Sequence, residues 1–111
     1  MFIMAIASLT IACLTEQQTP VDNSSLREFD RGLKFEESGH LDRALQSYSS
    51  ALQLNPMMAQ AFARRGHIYI QYSSLTPALS DIDRALRLDP KLGIAYNYRG
   101  IIMTMSDDID G

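Results

Sequence analysis

The dipeptide Arg-Gly recurs at Arg31-Gly32, Arg65-Gly66 and Arg99-Gly100, a constant step of 34 residues. Other positions keep that step: Ala44 and Ala78, Leu45 and Leu79, Ala51 and Ala85, Leu52 and Leu86, Leu54 and Leu88, Pro56 and Pro90. Aromatic Phe35 returns as Tyr69 and then as Met103. A register kept by small, large and proline positions alike constrains the architecture before any local propensity is weighed. Each unit is one supersecondary motif that buries its apolar face by stacking on its neighbours.

Inside each unit the spacing is helical. Leu26, Phe29 and Leu33 share one face, as do Ala44, Leu45, Tyr48, Ala51 and Leu52 in the next segment. No segment alternates with period two, so the expected class is all-α. Ser25 and Glu28 have capping-box spacing and predict a helix start; Gly39 suits its left-handed C-cap. Asp42 is expected to cap the second helix. Asn55-Pro56, Thr76-Pro77 and Asp89-Pro90 read as caps followed by proline at the first helical position. Gly32 and Gly66 stand mid-helix, where glycine costs about 0.5–1 kcal/mol against alanine. That cost is understandable if a partner helix crosses there and Ala44 or Ala78 presses close, with Phe35, Tyr48 and Tyr69 beside the crossing. Tyr72, Tyr96 and Tyr98 are expected in the core.

The period and the order of small and large residues resemble the tetratricopeptide repeat family, a helix–turn–helix unit. The units run 25–58, 59–92 and an incomplete 93–111. The first holds Gly32, Phe35, Ala44, Tyr48, Ala51 and Pro56; the second holds Phe62, Gly66, Tyr69, Ala78, Ala85 and Pro90; the third holds Tyr96 and Gly100. The resemblance implies about two and a half repeats stacked as a right-handed solenoid. It also implies that the first helices of successive units line a concave groove for a peptide or helix. By repeat position that groove comprises Leu26, Phe29, Leu33 and Glu36, then Gln60, Ala63, His67 and Ile70, then Ile94, Asn97, Ile101 and Thr104. Members that clamp a peptide carboxylate place lysine and asparagine where this chain has Phe29 and Leu33, so a mainly apolar groove is expected.

Chemistry beyond binding has little footing. His40 and His67 stand in different parts of different units without metal-ligand neighbours on their faces, so neither a metal nor a cofactor is expected. There is no Gly-x-Ser-x-Gly elbow and no phosphate-cradling glycine loop. Glu36 and Glu37 are adjacent on a helix and diverge too far to act as a carboxylate pair. The expected class is therefore not an enzyme. A net charge of −3 gives no basic footprint for nucleic acid, and the single cysteine, Cys13, excludes an internal disulfide framework.

Residues 1–14 carry no charge and are mostly apolar. They are too few to span a bilayer as a helix, which needs about 20, and they suit the apolar part of a secretory signal, although no positive n-region precedes them. Leu9-Thr10-Ile11-Ala12-Cys13 resembles a bacterial lipoprotein signal. That resemblance implies lipidation at Cys13, a membrane tether through residues 15–24 and a place at the bacterial cell envelope. The alternatives are another signal, or an ordinary packed helix in a cytoplasmic regulatory or co-chaperone fragment. At the other end the third unit lacks its second helix, which leaves Ile101, Ile102, Met103 and Met105 expecting a cover. A gene fragment, self-association through this uncovered C-terminal helix, and a folding back of the N-terminal segment are the three readings.

Overall fold

The computed structural model describes residues 22–110, with side chains to Asp107. The apolar leader, Cys13 and most of the linker lie outside the described residues. Five helices follow one another: α1 (Ser24–Glu37), α2 (Leu41–Leu54), α3 (Ala59–Gln71), α4 (Leu75–Leu88) and α5 (Gly93–Asp110). Among the described residues there is no strand. Helices α1 and α2 form the first antiparallel pair, α3 and α4 the second, and α5 packs on α4 and α3. The fold is an all-α helical repeat solenoid.

The core divides in two, and each part needs the next unit. Phe29, Ala44, Tyr48, Ala51 and Leu52 of the first pair enclose Ala61 and Ile68 of α3. Ala63, Ile70, Ala78, Ile82 and Ala85 of the second pair enclose Ala95, Tyr98 and Ile102 of α5. Phe62 touches both clusters. Burying one large apolar side chain is worth about 1.5–3 kcal/mol, so each pair is stabilised mainly by what stacks on it.

The crossing within a pair differs from the expected meeting of small residues. A Cβ built on Gly32 would lie 2.5 Å from Tyr48 Cε1 and 2.6 Å from Cδ1. One on Gly66 would lie 2.8 Å from Ile82 Cδ1 and 3.3 Å from the Ala78 carbonyl oxygen. The glycine is thus a socket for a large side chain, while Ala44 and Ala78 are fully buried nearby. Tyr98 is buried as expected, but Tyr72 and Tyr96 are exposed. Their hydroxyls are used instead at the surface: Tyr72 donates to Asp42 across the turns, and Tyr96 donates to the Pro90 carbonyl at 2.8 Å.

The turns also correct the expected caps. Helix α1 begins at Ser24, and Ser25 makes no capping box; Asp22 accepts from Ser24 N–H at 2.9 Å while Glu28 pairs with Arg31 at 3.3 Å. Helix α2 begins at Leu41, which puts Asp42 in its first turn rather than at its cap. Asn55 and Asp89 end α2 and α4, and their side chains accept from Met57 N–H at 3.1 Å and Lys91 N–H at 3.0 Å. Prolines 56 and 90 therefore sit in turns ahead of α3 and α5. Pro77 is the third residue of α4, where a missing N–H still costs nothing.

Gly39 has φ +79° and closes α1 as expected: its N–H donates to the Glu36 carbonyl at 3.1 Å, and His40 N–H donates to the Phe35 carbonyl at 2.8 Å. One repeat later Ser73 has φ +59° and the same two bonds are made to Ile70 and Tyr69, each 2.9 Å. A left-handed conformation costs an L-residue about 1–2 kcal/mol. Ser73→Gly is accordingly expected to raise stability by about 1 kcal/mol in urea unfolding. Gly32→Ala and Gly66→Ala should each lower it by about 1–3 kcal/mol. Gly32 should be the worse of the two, because a tyrosine ring yields less than the end of an isoleucine.

Candidate functional site

The first helices α1, α3 and α5 lie side by side, and their shared face carries the groove residues read from repeat position. Phe29, Leu33, Gln60 and Ile94 come together with Arg64 and Leu92 around a cleft of about 170 Å³. Phe29 forms its buried floor, with its ring 5.6 Å from that of Tyr48. Gln60 is exposed at the rim and Arg64 is half-buried beside it. Leu26 is exposed.

Glu36 and His67 serve the framework at this face. Tyr48 Oη donates to Glu36 Oε2 at 2.5 Å, His67 Nδ1 lies 3.0 Å from Glu36 Oε1, and Arg64 Nη1 is 3.7 Å from the same oxygen. The imidazole stacks on the Tyr98 ring, with centroids 4.5 Å apart and planes 4° off parallel. One carboxylate therefore ties α1 to α2 and α3, and His67 carries the contact on to α5. Burial opposes the charge on Glu36, but hydrogen bonds from His67 and Tyr48 and the charge of Arg64 outweigh it and hold the carboxyl below its ordinary pKa. Burial, then the bond to Glu36, raises the Tyr48 phenol far above its ordinary value.

Ala63 and Ile70 are buried in the second core, so they offer no surface to a ligand. The reason is steric: they face α4 and α5, which close over that side of α3. Asn97 and Ile101 are exposed, and they border a separate depression with Tyr96, Gly100, Thr104 and Met105. The twelve candidate positions thus divide into a cleft, a partly buried polar tie, core residues, a patch on α5 and the exposed Leu26. Arg64 was not singled out from the sequence. Its signal was its spacing from Gln60 and His67, at i+4 and i−3 on one helix face.

A second polar tie joins α3 to α4 and to α2. Arg65 donates from Nε and Nη2 to the two oxygens of Asp81 at 2.7 and 2.9 Å, and from Nη1 to Ser49 Oγ at 3.2 Å. Among the described residues every buried side-chain nitrogen and oxygen has a hydrogen-bond partner, and no helix is long and apolar enough to cross a membrane.

The depressed carboxyl has a measurable consequence. A group whose folded pKa is lowered contributes stability that is complete above its unfolded value, about 4.3 for Glu, and is lost as pH falls through the folded value. The urea midpoint of the wild-type chain should therefore fall more steeply from about pH 5 to about pH 3 than that of Glu36→Gln. Parallel curves would mean that the Glu36 tie adds no stability.

No family model matches the chain. It is 31% identical over 84 residues to tetratricopeptide repeat protein 6 of Homo sapiens, covering 74% of this chain and 16% of that protein. It is 27% identical over 96 residues to Hsp70-Hsp90 organizing protein 3 of Arabidopsis thaliana, covering 86% and 17%. The chain thus spans about a sixth of the length of these relatives. Among solved structures, the second tetratricopeptide domain of Spaghetti (RPAP3), bound to the HSP90 peptide SRMEEVD, superposes with a TM-score of 0.73 at 25% identity, over 78% of this chain and 81% of that one. The first such domain of the same protein gives a TM-score of 0.74 at 22% identity, over 79% and 70%. The 34-residue register, the stacked helix pairs, the sequence relatives and these structures together support the tetratricopeptide repeat family for this chain.

Proposed function

We propose that the chain is a non-enzymatic protein–protein interaction module that takes a partner peptide on its concave face. The observation that carries this is the cleft between α1, α3 and α5. It has an apolar floor of Phe29, Leu33 and Ile94 and two polar side chains, Gln60 and Arg64, at its rim. A small apolar recess with a few placed polar groups suits one anchoring side chain and an orienting contact. The Spaghetti domains that share this fold hold an HSP90 peptide, which supports a peptide as the ligand class. The chemistry here points to a different sequence preference. Phe29 and Leu33 occupy positions where carboxylate-clamping members carry lysine and asparagine, so the favoured peptide presents an apolar anchor with a carboxylate or carbonyl near Arg64.

Peptides selected by display on the full chain test this. Gln60→Arg and Arg64→Gln should each weaken them about tenfold, near 1.4 kcal/mol, whereas Gln46→Arg, in a separate depression between α1 and α2, should leave affinity unchanged. SRMEEVD itself is expected to bind no tighter than about 1 mM. Selected peptides indifferent to both cleft variants but sensitive to Gln46→Arg would place recognition on the convex side.

The stretch Ile11-Ala12-Cys13 favours one addition to this reading: a lipid tether that holds the module at a bacterial envelope as an adaptor or scaffold. Without it the module is a cytoplasmic regulatory or co-chaperone fragment. Labelled palmitate in a bacterial host separates the two. Incorporation lost in Cys13→Ser supports the tether, and labelling unaffected by Cys13→Ser contradicts it.

A further inference from the structure

Three polar side chains beside the cleft stand where the repeat itself asks for none. Glu36 takes the register position that Ile70 holds in the second unit, and Tyr48 takes that of Ile82. In the second unit this isoleucine pair is buried core. His67 likewise occupies the position of Leu33 in the first unit and Ile101 in the third. The solenoid accepts apolar residues at all three positions, so a hydrogen-bonded cluster there carries a desolvation cost that stacking does not require.

The cluster separates the charge of Arg64 from its donors. Tyr48 Oη and His67 Nδ1 engage the two oxygens of Glu36 at 2.5 and 3.0 Å, which fixes the carboxylate. The Glu36 side chain is 12% exposed, so water screens it poorly. Arg64 meets the same carboxylate only at 3.7 Å, longer than a hydrogen bond. The pairing thus balances the positive charge and leaves guanidinium N–H groups for the cleft, which Arg64 lines with Gln60 beside Phe29, Leu33 and Ile94. Among the described residues Arg64 is the one charged side chain in that lining. The other neighbours of His67 are the stacked Tyr98 ring from α5 and Gln71 one turn on in α3, neither of which adds a carboxylate or a second cation.

We infer that Glu36 sets which part of a peptide the cleft accepts: it cancels the charge of Arg64, so the site takes the uncharged carbonyl of an internal segment and turns away a free C-terminal carboxylate. The inference rests on the peptide-binding reading above and narrows its ligand. A main-chain carbonyl needs only an N–H donor, which Arg64 keeps. A carboxylate gains most from net positive charge, and here the positive charge is already paired. It would also enter the field of Glu36 in a place sheltered from water, where like charges repel more strongly than in bulk solvent. The Glu36 carboxyl lies below its ordinary pKa, so that field is present at neutral pH. Discrimination between two ligands that share an anchor requires such a repulsive element as well as an attractive one.

The probe is a display-selected peptide, N-acetylated and truncated one residue after its apolar anchor, made as the C-terminal acid and as the amide. Both forms are titrated against the full chain at about pH 8, above the range in which histidine side chains ordinarily charge. The wild-type chain should bind the amide at least about threefold more tightly than the acid. Glu36→Gln should raise the acid-to-amide affinity ratio at least about tenfold, making the acid the tighter ligand. Partial unfolding of the variant lowers both affinities alike and leaves the ratio intact. Arg64→Gln should weaken the amide and lower the ratio. A wild-type preference for the acid, or a ratio unmoved by Glu36→Gln while Arg64→Gln weakens the amide, would overturn this inference and leave the cleft as the binding site. Indifference of both peptide forms to Arg64→Gln would overturn the cleft reading and this inference together.

Discussion

A tyrosine ring in one pair and an isoleucine in the next fill the space left by a glycine that has no side chain, and the rest of the stack depends on these two crossings. Tyr48 and Ile82 are both fully buried and among the largest side chains that are. Because each projects into the partner helix rather than against its side chains, the two axes approach closely enough for Ala44, Ala51, Ala78 and Ala85 to seal the interface at zero exposure. Interiors are packed without slack, so this arrangement fixes the angle at which each pair presents its outer surface to the next unit. The alignment of α1, α3 and α5, and with it the concave face, follows from the sockets.

Polar chemistry then locks what packing has brought close. Glu36 accepts from Tyr48, the same residue that fills the first socket, and faces His67 and Arg64 of the second unit. Arg65 and Asp81 meet in a bidentate ion pair that joins the two helices of that unit. Partly buried charges of this kind carry a desolvation cost that only good geometry offsets. Their worth here lies as much in register as in energy, since sliding α3 by one turn against the first pair would take His67 and Arg64 from Glu36 and Ser49 from Arg65. The Glu36 tie meets the cleft at Arg64, so His67 and Glu36 belong to its support while Gln60 and Arg64 remain at its rim.

Much of this was legible in the sequence because a repeat multiplies weak signals. The 34-residue step placed the helices, and the glycine, alanine and proline positions placed their turns and contacts to within a few residues. Local chemistry misled at the helix starts. Asp42, Asn55 and Asp89 have capping side chains, yet backbone geometry one to three residues away decided where the helices begin. Repeat position also could not say how wide the concave face is. Ala63 and Ile70 hold groove positions in the repeat, but α4 and α5 close over them, and that depends on side chains distant in sequence. The socket was misread for the same reason. The spacing shows that glycine faces another helix, and only the packed structure shows that Tyr48 and Ile82, not the alanines, arrive there.

On the function proposed above, the concave face, framed by the sockets and held by Glu36, is the surface that meets the partner peptide. The most direct test is an amide chemical-shift map of the isotope-labelled chain titrated with a display-selected peptide. The largest shifts should fall on Leu33, Gln60, Arg64 and Ile94, with small ones at Arg43, Gln46 and Ser50 in the separate depression between α1 and α2. Shifts concentrated on Arg43, Gln46 and Ser50, with the cleft residues unmoved, would contradict it.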